Sequence, residues 1–498
     1  MTKQRILALL VCLLMVVSVA GCKGAGASSS SDVDEASQGD VQESDDGTGT
    51  GDESDGEPVE GESTQAGEQT DTATPSKKIE GTQSTPKQGT TTAKGFYDAI
   101  KGTSIKVYVS EAPTAIDKKR ATEFKKQYGC TVVWEIHPWN EWQQILIQQV
   151  SARKPVDVAG VFDATFINYA ANNIVQPVDK YLQISDPIWD AQSMSMFKWK
   201  GKYYGMNTRT GNLDAAMIYY NKTMFEDAGV TDPYTLYKQG KWDYATFRKT
   251  AKDMSKDTNK DGKTDVFGFH FVFRDIFVTA NGNRQVKVND NGTVDITMNQ
   301  PSAYAGWQLY QNMQLVDKSM DWQNDGPALF MGGRLAMLME RPWNVVGFYK
   351  MYDKKNFPDE LGMVPPPKGP DTGSTYYAPS IMSTYSIPTH AKNPLGASAW
   401  MYFGETYKKE HYNDADAAKQ RRITISDEHM KIYNEFLGKA VVINTLVNGI
   451  GDWSTARWPM EAEMIRDNVP PATAIPKHMN VLKDEINKVL NSGGAIND

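Results

Sequence analysis

Beyond residue 96 the chain alternates short apolar runs with stretches of helical spacing. Ser104–Ser110 (SIKVYVS), Thr131–His137 (TVVWEIH) and Val156–Phe162 (VDVAGVF) read as strands, and residues 117–128 and 139–153 between them read as amphipathic helices. Strands separated by helices predict an α/β fold with a mainly parallel sheet covered on both faces, in which ligands bind outside the carboxyl ends of the strands. The segments His137–Trp142 and Phe162–Thr165 then share one rim. A second α/β unit begins at Ala216–Tyr220 (AMIYY), which runs into a helix from Asn221. Asp243 is placed to cap a further helix, along which Phe247, Ala251 and Met254 form one apolar face.

The N-terminus has a different pattern. Lys3 and Arg5 precede an apolar run, Ile6–Val19, with Ser18 its one polar residue; it is shorter than the about 20 residues that span a bilayer and matched to a secretory signal. Val19-Ala20-Gly21-Cys22 closes it and resembles the lipobox at which bacteria cleave and lipidate the new terminal thiol. Residues 1–22 are therefore expected to be a lipoprotein signal peptide, with Cys22 acylated and the mature chain anchored to the outer face of the cytoplasmic membrane without spanning it. From 23 to 94 there is no aromatic residue, and 16 acidic residues face 5 basic ones. Such a segment buries too little apolar surface to offset chain entropy, and its charge extends it. It reads as a disordered acidic linker, a plain spacer in preference to a ligand for calcium or a wall polymer, and its length suits a thick Gram-positive wall.

Removing that segment changes how the overall charge of −8 is read, because the acidity is local and the remainder is near neutral. Without a basic excess, nucleic acid is not an expected partner. Of three cysteines, Cys12 leaves with the signal and Cys22 takes lipid, so Cys130 has no intrachain disulfide partner and is expected to be a buried small hydrophobe.

Twelve tryptophans and 23 tyrosines supply the candidate chemistry. A pyranose offers C–H groups to an indole face and hydroxyls to acids, amides and guanidinium donors at its edge. Tryptophans beside such groups occur at Trp139-Asn140-Glu141-Trp142, at Glu340-Arg341-Pro342-Trp343-Asn344, and around Trp453, Arg457 and Trp458. Core packing is the competing explanation for each. Asp163, after a strand, is a candidate hydroxyl acceptor or a helix cap. Residues 257–265 carry Asp257, Asn259, Asp261, Lys263 through its carbonyl, and Asp265 at EF-hand positions 1, 3, 5, 7 and 9, with Gly262 at 6. Gly268 stands where the bidentate glutamate belongs, so either a weak calcium site or a metal-free loop of Asx turns is expected; no cofactor is required. His-Glu-x-x-His, Gly-x-Ser-x-Gly and P-loop patterns are absent from the sequence, and the six histidines are scattered. A glycoside hydrolase, which leaves no short signature, and a surface glycan adhesin remain the alternatives.

Tyr219-Tyr220-Asn221-Lys222-Thr223-Met224-Phe225-Glu226-Asp227-Ala228-Gly229-Val230 is similar to a segment of extracellular solute-binding proteins of family 1. So are Lys241-Trp242-Asp243, Phe330–Met337 ahead of Arg341-Pro342-Trp343, and Gly362–Pro370, in that order. The resemblance implies a two-lobed, maltose-binding-protein-like (type II periplasmic-binding-protein) fold, discontinuous lobes, and a hinge that closes on a carbohydrate delivered to an ABC importer, the chain acting as a monomer and not as an enzyme. It places chain crossings near Gly211–Ala215, Trp343–Tyr349 and Ser380–Tyr385, giving lobes of 96–213 with 345–383 and of 214–344 with 384–498. It makes Trp343 the leading sugar-stacking residue, adds Arg209 and Asp214 near the hinge to the ligand set, and makes Trp242 structural.

Overall fold

The structure, a computed structural model, describes residues 98–491 apart from 139–140, 183, 208–212, 272–273, 290, 322–323, 412–425, 440–442 and 445–452. The expected signal segment with Cys22, the expected acidic linker, Trp139 and Arg209 lie outside the described residues.

The chain opens with β1 (Ser104–Val109), α1 (Ala115–Tyr128), β2 (Thr131–Ile136), α2 (Trp142–Ser151), β3 (Val158–Phe162) and α3 (Asp163–Ala171). Local chemistry sets these ends. Thr114 and Asp117 form a capping box at the start of α1, with reciprocal hydrogen bonds of 3.0 and 3.2 Å, and Gly129 ends the helix at φ 67°. The strands β1, β2 and β3 are parallel, with β1 in the middle, as the alternating pattern predicts.

After β4 (Leu213–Ala215) the chain enters a second sheet with β5 (Met217–Asn221), followed by α4 (Lys222–Ala228) and α5 (Tyr244–Met254). Asp243 caps α5, accepting the Thr246 N–H at 3.0 Å, and Phe247, Ala251 and Met254 are buried along one face as expected. Then come β6 (Phe267–Phe271), α6 (Ile276–Ala280), α7 (Pro301–Gln311), β7 (Leu335–Glu340) and β8 (Leu361–Val364). The sheet order is β8-β5-β7-β6 in these labels, with β6 and β7 parallel and β5 antiparallel to both β7 and β8. Trp242 is fully buried and donates its indole N–H to the Pro365 carbonyl at 2.8 Å, a structural role.

The chain returns to the first sheet through β9 (Pro379–Pro388), whose second half pairs antiparallel with β3. It then forms α8 (Pro394–His411), α9 (Asp427–Lys439), the two-residue strand β10 (Ile443–Asn444), α10 (Trp453–Ile465) and α11 (Pro471–Asn491). No helix among the described residues is long and apolar enough to cross a membrane.

The lobe boundaries differ from the expected ones in two places. Residues 345–364 remain with the second sheet, because β8 lies against β5 and all four of its residues are buried. Residues 384–411 belong to the first, through β9 and α8. No crossing occurs at Trp343–Tyr349; the second passage lies between β8 and β9. A buried four-residue apolar run joins whichever sheet offers it an edge, and that pairing is non-local. Cys130 is fully buried, and burial pushes its thiol pKa up, the expected inert state.

Candidate functional site between the two sheets

Strand direction locates the site. Because β9 runs antiparallel to β3, with Ser383 opposite Phe162, the first residues of β9 extend past the carboxyl ends of β1–β3. There they pair with β4, Ser380 opposite Ala215, and with β10, Pro379 opposite Ile443. The Ala216 N–H donates to the Pro379 carbonyl at 2.8 Å. One residue on, Met217 lies opposite Glu340 at the carboxyl end of β7. The carboxyl ends of both parallel strand sets therefore adjoin the same group of crossing strands. Helix α6, at the end of β6, packs against β9.

On the second lobe two strand ends carry the same arrangement. At the end of β7, the Arg341 guanidinium lies over the Trp343 ring, 5.0 Å from its centroid. Beyond the end of β6, the Arg274 guanidinium lies over the Trp458 ring at 4.6 Å. Trp343 and Trp458, each 37% exposed, are the exposed tryptophans among the described residues. Trp343 leads into a π-helical turn, Asn344–Phe348, a local widening common at functional sites.

Buried polar groups hold both pairs. Glu340 is 1% exposed and accepts the Arg341 N–H at 2.6 Å and the Asn344 amide at 2.9 Å; burial pushes its carboxyl pKa up. Glu461 stands between Arg274, which donates at 3.2 Å, and Arg457, whose Nε is 2.6 Å away. Arg457 also donates to Gln285 at 3.0 Å and lies 3.6 Å from Asp275, which the Gln285 amide bonds in turn. Burial opposes the Arg457 charge, but the two carboxylates outweigh it and its pKa is raised. Charges this deep are retained only when opposite charges lie beside them.

The expected residues divide accordingly. Glu340, Arg341 and Trp343 come together, and Trp458, on α10, stacks with Arg274 beyond the end of the neighbouring strand β6. Trp142 and Trp453, expected to face ligand, are 5% and 2% exposed and belong to the core. Trp142 lies beside Tyr108, whose hydroxyl donates to its carbonyl at 2.9 Å, and edge-on to Phe162. Gly160 admits the indole, since a Cβ there would stand 3.0 Å from the ring. Glu340 is likewise a support below the rim and not an open acceptor. Asp163 is the first residue of α3, and Asp214 pairs with Ile381 in the crossing strands. Arg274, Gln285 and Glu461 were missed. The signal for Arg274 was its place just past the apolar strand Phe267–Phe271, but Glu461 reaches it from a remote segment, and Gln285 acts one step away through Asp275 and Arg457.

The 257–265 loop is built from Asx turns. Asp257 accepts the Lys260 and Gly262 N–H groups at 2.7 and 2.8 Å, Asn259 that of Asp261, and Asp261 that of Lys263, both at 2.9 Å. Asp265 takes the Thr258 hydroxyl and N–H at 2.6 and 2.7 Å, which hold its pKa down. No cluster of three or more His, Cys, Asp or Glu side chains among the described residues is arranged to hold a metal. A separate groove of about 550 Å³, lined by Asp243, Arg248, Gln308, Asn312 and Lys368 among others, includes none of the arginine and tryptophan pairs.

Comparison with known proteins agrees with this architecture. Binding proteins of Brucella abortus and Brucella suis are 23% identical over 322 residues, 62% of this chain and 72% of theirs. Among solved structures, an ABC substrate-binding protein of Listeria monocytogenes in complex with cycloalternan is 18% identical (TM-score 0.55, 78% of this chain and 99% of that one). A cyclo/maltodextrin-binding protein complexed with maltotetraose is 17% identical (TM-score 0.58, 77% and 97%). The GacH receptor of Streptomyces glaucescens, solved unliganded and with acarbose, is also 17% identical (TM-score 0.55, 78% and 98%). These likenesses establish the two-lobed substrate-binding fold. The family described as bacterial extracellular solute-binding protein matches residues 119–423, and with these sheets, crossings and strand-end residues the chain belongs to that family.

Proposed function

We propose that this protein is a lipid-anchored extracellular receptor that captures a carbohydrate between its lobes and delivers it to the membrane subunits of an ABC importer. The observation that carries the reading is the pair of exposed indoles, Trp343 at the end of β7 and Trp458 on α10, stacked with Arg274 beyond the end of the adjacent strand β6. An exposed indole costs solvation unless it serves a surface, and a sugar's C–H face is the surface it fits. The sugar complexes of the fold's solved relatives support the ligand class. Binding energy then comes from closure, because a ligand that touches both lobes only when they are shut shifts the population toward the shut form.

Acylation of Cys22 keeps the receptor at the outer face of the membrane, and the acidic linker lets the folded part reach across a thick Gram-positive wall. The experiment is a thermal-shift screen against neutral and acidic oligosaccharides. A true ligand at 100 times its dissociation constant stabilises the protein by about 2.7 kcal/mol. A flat response across the whole panel, or release of cleaved sugar, would overturn the reading.

A further inference from the structure

We propose that the captured glycan is acidic: Arg274 and Arg341, each laid over an exposed indole at the ends of β6 and β7, read carboxylate groups on the sugar. The proposal rests on the carbohydrate reading above and narrows its substrate class.

Stacking fixes the orientation of a guanidinium, and its planar fork matches a carboxylate bidentately; Arg274 also keeps one amino group on Glu461 at 3.2 Å. Strands β6 and β7 are parallel neighbours, with Phe271 opposite Met339, so both arginines follow the ends of adjacent strands. Arg274 and Arg341 thus follow neighbouring ends of one sheet, where a single oligosaccharide lying along that edge would meet both.

Among the described residues, the side chains stacked at these two strand ends are donors. Guanidinium and indole N–H groups donate and cannot accept. The carboxylates that adjoin them face inward, with side-chain exposures of 1% for Glu340, 2% for Glu461 and 6% for Asp275, against 41% for Arg274 and 18% for Arg341. Each of those acids already accepts from a neighbour: Glu340 from Arg341 and Asn344, Glu461 from Arg274, Asp275 from Gln285. A neutral sugar needs acceptors for its hydroxyl protons, whereas a uronic acid brings acceptors of its own.

The test is calorimetric titration of the full chain with three groups of probes. These are uronic-acid oligosaccharides (oligogalacturonides, oligomannuronates and glucuronate-bearing xylo-oligosaccharides), neutral malto- and manno-oligosaccharides, and sulfated disaccharides. A uronic-acid oligomer should bind at least tenfold tighter than any neutral one, with affinity falling as salt rises. Arg274→Gln and Arg341→Gln should each cost it about tenfold, a larger loss than either causes for a neutral oligomer, with a cooperative melting transition retained. Arg341→Lys keeps the charge without the fork and should also weaken it. Equal or tighter neutral binding, or acidic binding that survives both glutamine variants, overturns the proposal and leaves the carbohydrate reading standing. Preference for the sulfated probes overturns the carboxylate assignment, and no binding by any glycan overturns both readings.

Discussion

Trp343 and Trp142 carry the same side chain in opposite situations. Trp343 is 37% exposed beneath Arg341, while Trp142 is 5% exposed between Tyr108 and Phe162. Trp343→Ala is expected to weaken glycan binding by about 1–3 kcal/mol, the loss of a central aromatic anchor, with the melting temperature unchanged. Trp142→Ala should instead cost about 3–5 kcal/mol of stability by opening the core. Calorimetry with denaturant titration separates the two, and full affinity in the Trp343 variant would remove that residue from the site. Tryptophan beside charge was legible in the sequence, but which indoles face solvent was not. Trp142 is buried because β3 offers Gly160 beneath it and β1 offers Tyr108 beside it, partners 18 and 34 residues away on other elements.

Elements whose ends are set by neighbouring residues were the easiest to read. The capping box of α1, the Asp243 cap of α5 and the apolar face that follows it stand where the pattern places them. The 257–265 loop was legible in composition but open in chemistry, and its carboxylates are engaged by backbone N–H groups. Chelation is therefore expected to leave the melting temperature unchanged; a fall with chelator that added calcium reverses would assign the loop a metal. Helix α9 was not anticipated, and it carries a titration of its own. His429 is 2% exposed, its Nδ1 bonded to the Tyr352 hydroxyl, with Glu428 beside it held 3.2 Å from Lys222. Burial, with a smaller push from Lys222 against Glu428 and the Leu361 carbonyl, lowers its pKa to about 4. The unfolded chain titrates near 6.5, so it binds the proton first as pH falls. Stability should drop across the window from about 6.5 to 4, by up to about 1.4 kcal/mol per pH unit, and level off below it. His429→Gln keeps an acceptor without a titration and should flatten that slope in denaturant titrations at stepped pH.

At the scale of the molecule, three extended segments, β4, the start of β9 and β10, lie side by side next to the open ends of both sheets. Closure by rotation about so few backbone segments is a hinge motion. Small-angle scattering of the receptor with its glycan should therefore show a smaller radius of gyration than without it. An unchanged radius at saturating ligand would mean that one lobe binds alone. Helix α11 bears on this motion, because it packs against α3 of the first lobe and against α7 and α10 of the second.

What neighbouring residues control was legible along the chain: the apolar run that closes at Cys22, the acidic segment after it, the alternation of strand and helix, and the caps. Its similarity to a family added the two-lobed plan. Only the tertiary structure decided which sheet each late strand joins, which tryptophans lie open, and that Arg274 rests on Trp458, 184 residues away. Those outcomes depend on contacts between distant segments, and a side chain's burial is fixed by whatever the rest of the chain packs against it.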